Sequence, residues 1–175
     1  MTVTIDGTNG ITYPAGTGVM KVGPTLMTAQ SATGTSVDFT GIPAGVKRVT
    51  LVLSRVASSG ASIWQVQIGS GTFDTSGYVG NLQYSTNTAS LTTGIQIIWT
   101  GNGTVSTWSA VIPFVNIGNN NWVTSGVMSG ASSSAVNNFY FGGQKTLSGA
   151  LDRIRLTTVN GTDTFNAGSV NILYE

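Results

Sequence analysis

Cysteine and histidine are both absent from the 175 residues. Without Cys there is no disulfide framework, no thiol nucleophile and no Cys-ligated zinc or iron–sulfur cluster. Without His there is no Ser–His–Asp triad, and the commonest zinc or copper ligand is missing. Charge is almost as scarce. Lys and Arg number 7 and Asp and Glu 6, so 7% of the chain is charged, against roughly 25% in an ordinary soluble domain. A net charge of +1 and a pI near 8.0 create no long-range field for nucleic acid or an anionic membrane. No apolar run reaches the roughly 18 residues of a spanning helix. The opening MTVTIDGTNG has neither the basic nor the apolar region of a signal peptide. Nucleic-acid binding, membrane insertion, a metal and a cofactor are therefore not expected.

What is present points to strands. Gly, Ser, Thr and Asn make up nearly half the chain, and 40% of it is hydrophobic. Mean hydropathy is +0.19, too high for a disordered chain. Helix formers are few; the one Glu is the last residue. Thr, Val, Ser and Gly suit pleated strands and tight turns. The length fits one domain, or one domain with an arm. Residues 1–35 are rich in turn signals and poor in large apolar residues, so they read as an N-terminal arm or attachment segment, with short strands at 19–22 and 26–30. Residues 36–175 read as the main domain.

Within that domain the segment 46–56 (VKRVTLVLSRV) is the strongest strand. Alternation places Val49, Leu51 and Leu53 on one face and Val52 and Val56 on the other. Trp64, Val66 and Ile68 should point inward, with Gln65 and Gln67 outward. Further strands are expected at 78–84, 95–100, 106–117, 122–128, 137–141, 151–158 and 169–174. Two hairpins stand out. One folds 111–128 about a Gly/Asn turn, and the other folds 154–165 about Asn160-Gly161, a pair that suits a type I′ turn. Pro113 cannot donate to a ladder, which predicts an edge strand or a bulge there.

Residues 75–144 contain no Asp, Glu, Lys or Arg. Exposed strand edges are normally guarded by charge, so this stretch is expected to lie largely under other chains. Signals for chemistry are weak by comparison. Asp152 and Asp163 could meet across the second predicted hairpin, as a glycosidase pair must. Arg153 and Arg155 lie equally near and favour a structural ion-pair network. No Asp-x-Asp-x-Asp run supports calcium. Trp99, Trp108, Trp122, Tyr78, Tyr84 and Tyr140 sit near predicted turns, where an aromatic ring can stack on a sugar, although packing is the default for them. The polar turns carrying Asn119, Asn120 and Asn121, and Ser132, Ser133 and Ser134, are the candidate surface contacts.

The stretches SVDFTGIPAGVKRVTLVLSRVASSGASIWQVQIGSG (36–71), TSGY (75–78), NNNWVTSGVMS (119–129) and GGQKTLSGALDRIRLTTVNGTDTFNAGSVNILYE (142–175) resemble the core of phage and prophage tail fibre or tail-associated virion proteins. TIDGTNGITYPAG (4–16) also looks like phage fibre segments. The resemblance implies a virion structural protein with a β-sandwich, often trimeric, and no catalytic residues. The chain has none of the long shaft of many fibres, so a compact module or short fibre tip fits its length better.

The expectation is thus an all-β protein: an antiparallel β-sandwich of jelly-roll type with an N-terminal arm. It would be a non-enzymatic, homotrimeric part of the virion, assembled in the host cytoplasm and contributing to host adsorption. The arm would join it to tail, baseplate or major capsid protein. Weak loop contacts to a host receptor or glycan would sum by avidity. The alternative is a capsid decoration or head-fibre protein that clamps the phage head.

Overall fold

The computed structural model describes residues 4–6, 10–12, 23–84, 87–89, 92–102, 104, 106–131 and 136–175. The expected strand at 19–22 lies outside them. Two antiparallel sheets pack face to face as a β-sandwich. A separate two-stranded ladder joins β1 (Thr4–Asp6) to β2 (Gly10–Thr12).

The large sheet is built from β3 (Thr25–Leu26), β4 (Gln30–Ser31), β6 (Arg48–Ser58), β9 (Val79–Tyr84), β10 (Asn87–Ala89), β12 (Thr107–Asn116), β13 (Asn121–Ala131), β14 (Val136–Thr146) and β16 (Phe165–Tyr174). Its order is β10-β9-β14-β13-β12-β6-β16-β3, with β4 also on β16. The small sheet holds β5 (Ser36–Thr40), β7 (Trp64–Ser70), β8 (Thr72–Phe73), β11 (Ile95–Ile98) and β15 (Arg153–Thr158). Its order is β11-β7-β15-β5, with β8 on β7. Residues 25–31 thus line the edge of the large sheet, and Ala32 is buried in the core.

One apolar core fills the space between the sheets. Leu51, Leu53, Ile112, Phe114 and Ile172 come from the large sheet; Phe39, Trp64, Val66, Ile68, Ile154 and Leu156 come from the small one. Trp64 joins the two layers. Its ring meets Phe165 edge-on at 5.2 Å, and its Nε1 donates to Ser58 Oγ at 3.0 Å.

Four expectations from the sequence are corrected. Val56 does not share the outer face with Val52 but is fully buried. Between Leu53 and Val56 the register against β12 slips by one residue, and Arg55 there has φ 53°. This bulge reverses the alternation. The backbone of Gly168 (φ 87°) packs against it; a Cβ at that glycine would lie 2.4 Å from the Arg55 carbonyl oxygen.

Gln65 and Gln67 do not face solvent. Both are buried, because the chain at Thr93 folds over them. Gln67 Nε2 donates to the Thr93 carbonyl at 2.9 Å, and Thr93 Oγ1 donates to Gln65 Oε1 at 2.8 Å. Alternation gave the face correctly but not its cover.

Pro113 is on an interior strand, between β6 and β13. The β12–β13 ladder is interrupted at 111–113 with no change of register, so the missing N–H falls where no ladder bond forms. The second expected hairpin is not one. β15 pairs with β5 and β7, whereas β16 pairs with β3, β4 and β6. The turn at Asn160-Gly161 carries the chain from one sheet to the other, and only Gly161 of the pair has positive φ.

Candidate functional site

The carboxylates come first, because they are where catalysis would have to start. Each of the five whose side chain is described holds a structural partner. Asp38 takes a two-pronged bond from Arg155, at 2.7 and 2.6 Å. The Arg155 guanidinium also lies 4.0 Å from the Phe73 ring centroid. Asp74 pairs with Lys145 at 2.8 Å and Glu175 with Arg48 at 2.9 Å.

Asp152 and Asp163 do not meet. Asp152 accepts from Arg153 and from the Gly71 N–H. The Arg153 bond is the main reason its carboxyl sits below the usual carboxylate range, against a smaller upward push from desolvation. Asp163 accepts from the Ser62 N–H at 2.8 Å and from Asn160 Nδ2. The two flank opposite ends of β15, whose six residues span about 20 Å at ~3.4 Å each. A glycosidase pair stands no more than about 9.5 Å apart. Among the described residues, no three of Asp, Glu, His and Cys come together as metal ligands.

The candidate loop at 119–121 is a tight turn between β12 and β13. Asn119 and Asn120 have φ 51° and 55°, and the Asn121 N–H donates to the Gly118 carbonyl at 2.9 Å. Two successive positive φ values favour Asn and Gly over other residues. Asn119 is exposed at the tip, while Asn120 and Asn121 are half-buried. The Asn120 carbonyl accepts from the Leu147 N–H at 3.0 Å, tying the turn to the segment after β14. The backbone thus accounts for Asn119 and Asn120 without a ligand. Asn119→Ala or Asn120→Ala should cost about 1–2 kcal/mol through the left-handed strain, whereas Asn→Gly at either site should be close to neutral. Equal denaturant midpoints for the Ala and Gly variants would refute this. Ser132, Ser133 and Ser134 lie outside the described residues.

Most of the aromatics are packing groups. Trp108, Trp122 and Tyr78 are buried and Trp99 is partly buried. The Tyr84 side chain is outside the description. Tyr140 is different, at 55% exposed.

Tyr140 belongs to a surface that the register defines. In the outer face of the large sheet one row runs Asn171, Val52, Val111 on β16, β6 and β12. It continues level through Val127, Tyr140 and Gln83 on β13, β14 and β9. A second row, four residues along each strand, is Arg48, Val115, Val123, Gln144, Val79. Between these two rows stand Leu26, Leu173, Thr50 and Pro113. Arg48, at the rim and paired with Glu175, is the single charged residue of these rows.

Comparison with protein-family models, with curated proteins and with solved structures gives no match.

The assignment of function therefore rests on the surface itself. Seven of the eight large apolar side chains exposed among the described residues lie on this face: Leu26, Val79, Val111, Val115, Ile117, Val127 and Tyr140. The opposite outer face, on the small sheet, carries the Asp38–Arg155 pair with Phe73 across it. The two outer faces are chemically unlike. Sequence reading found the charge-free stretch but not the face. The available signal was 110–117, where apolar residues occupy both parities of one strand.

Proposed function

We propose that this chain is a structural module of a phage virion, acting by assembly and not by catalysis. The observation that carries the reading is where the charge-free stretch 75–144 falls. It supplies β9, β10, β12, β13 and β14, five strands of the large sheet, and with them most of one broad outer face without charge. Exposed apolar surface of this extent marks interaction sites. The carboxylates meanwhile serve local structure, which supports a non-enzymatic role. The resemblance to tail fibre and tail-associated proteins supports the place in the particle.

On this reading the chain is a homotrimer at the phage tail that contributes to host adsorption, attached through its N-terminal segment to tail or baseplate proteins. We further propose a jelly-roll winding. The chain alternates between sheets from β5 through β6, β7, β9 and β11 to β12 before the meander β12–β13–β14, which supports it.

Antibody-gold labelling of intact particles tests the location. Label confined to the tail is expected. Label spread over the head would replace this reading with a capsid decoration protein. Label on neither would end the virion assignment.

A further inference from the structure

We propose that the outer face of the large sheet, which carries Val111, Val127 and Tyr140, is the surface by which this chain binds a second copy of itself. The inference deepens the assembly reading above by naming the occupant.

Three observations favour a copy over an unrelated partner. The first is charge. The three rows carry no charged residue inward of Arg48. An occupant selected by complementary charge would find nothing to pair with. Within the rows a second copy meets no like charge, the usual obstacle to self-association; Arg48 stands at their rim and Arg55 is exposed on the β6 bulge beyond them.

The second is shape. Cross-strand pairs run from β3 to β9, keeping one register across the gap at 111–113, so the surface is a pleated sheet and not a pocket. Its natural complement is another pleated sheet, stacked roughly 10 Å away with side chains interleaved. The chain itself supplies one. Three copies can also turn this face toward a common axis, as the sides of a prism.

The third is area. Summed over the whole face, its exposed large apolar residues offer on the order of 600 Å², against the few hundred of a single patch on a monomer. A standard interface buries about 800 Å² per partner. Intervening Ser, Thr and Asn would supply the remainder. Tyr140 gives the face an aromatic ring with a polar tip, the kind of residue that anchors interfaces.

The test uses the full chain. Light scattering at ~50 µM should give a mass that is a multiple of 18.0 kDa, three being the multiple the resemblance implies. V111K/V127K places two like charges per copy in the contact and should return the mass to 18.0 kDa. Thr40→Lys, at an exposed position of β5 in the small sheet, should leave the multiple unchanged. Circular dichroism checks that each variant is folded.

A second measurement does not depend on tolerance of lysine. The chain has no Cys, so Val127→Cys creates a unique thiol of nearly conserved volume. Its labelling by a thiol reagent should be about tenfold or more slower at ~50 µM than at ~0.1 µM protein, because dilution uncovers the face. Thr40→Cys should react alike at both.

A wild-type mass of 18.0 kDa at ~50 µM, or a folded V111K/V127K that keeps the multiple, overturns the proposal. So does a Val127→Cys labelling rate independent of concentration. If the wild type is monomeric and V111K/V127K is excluded from particles, the occupant is another virion protein and self-association falls. The two readings fail separately. A monomer found on particles overturns the self-contact alone. A charge-sensitive oligomer found on no particle supports the self-contact and overturns the virion assignment.

Discussion

Trp64→Ala is expected to lower the free energy of unfolding by about 3–5 kcal/mol, the range for removing a buried large aromatic. The side chain is fully buried, and it stands on β7 of the small sheet with its ring against Phe165 of the large one. Ser58, which accepts its Nε1–H, is also on the large sheet, in β6. Truncation therefore opens a cavity at the seam between the layers, where neither sheet can relax alone. Trp64→Phe separates the contributions. It keeps most of the bulk and loses the donor, and Ser58 Oγ can still donate to the Gly60 carbonyl. That variant should cost about 1–2 kcal/mol. With total stability of roughly 5–15 kcal/mol for a domain of this kind, Trp64→Ala removes a large share of it. Guanidinium unfolding followed by far-ultraviolet circular dichroism measures both variants. A loss below ~1 kcal/mol for Trp64→Ala would mean that the two sheets are not held together through this residue.

Trp64 also shows what the sequence revealed well. Its apolar alternation with Val66 and Ile68 identifies both strand and inward face, since a period of two survives any tertiary context that leaves the strand straight. The same logic fails wherever the period is broken or the face is covered from outside. At Arg55 an extra residue enters β6, and every side chain beyond it changes sides; nothing in SRVAS announces that. At Gln65 and Gln67 polar character signalled solvent, but Thr93 supplies the hydrogen-bond partners that make their burial tolerable. That contact joins positions nearly thirty residues apart, beyond the reach of a local pattern. Asn160-Gly161 announced a turn correctly. What it could not announce was that the turn joins different sheets, because sheet membership is decided by where β15 and β16 find partners.

The candidate site was legible in one respect only. The absence of charge from 75–144 is visible as text, and it maps largely onto one sheet. Which of those residues share a face depends on register, and register is set by pairs such as Val115–Val123 and Val127–Tyr140. The asparagines at 119–121 were chosen for polarity, a property that turns and binding loops share. Positive φ at Asn119 and Asn120 is the physical reason for that polarity.

Tyr78→Phe should be destabilising at neutral pH and should remove much of an alkaline instability. The Tyr78 hydroxyl accepts from the Ile68 N–H at 2.8 Å and can donate to the carbonyls of Ile68 and Asp74, each at 3.1 Å. It thereby fastens the segment before β9 to the middle of β7. Removing it orphans a buried N–H, at a cost of about 1–3 kcal/mol. The pH dependence follows from the same burial. Desolvation pushes the phenol well above its ordinary 10.0, and the Asp74 charge adds to this, while the Ile68 N–H bond opposes it. A raised folded-state value means that the stabilisation is complete below about pH 10. Above it the unfolded chain releases its proton while the folded one retains it. Stability should then fall by up to ~1.4 kcal/mol per pH unit. Unfolding midpoints measured from pH 8 to ~11.5 should therefore drop more steeply for the wild type than for Tyr78→Phe, which keeps Lys145 and Asp74 in place. Parallel curves would show that the hydroxyl is already solvated, and that the 74–78 segment is not fastened to β7 through Tyr78.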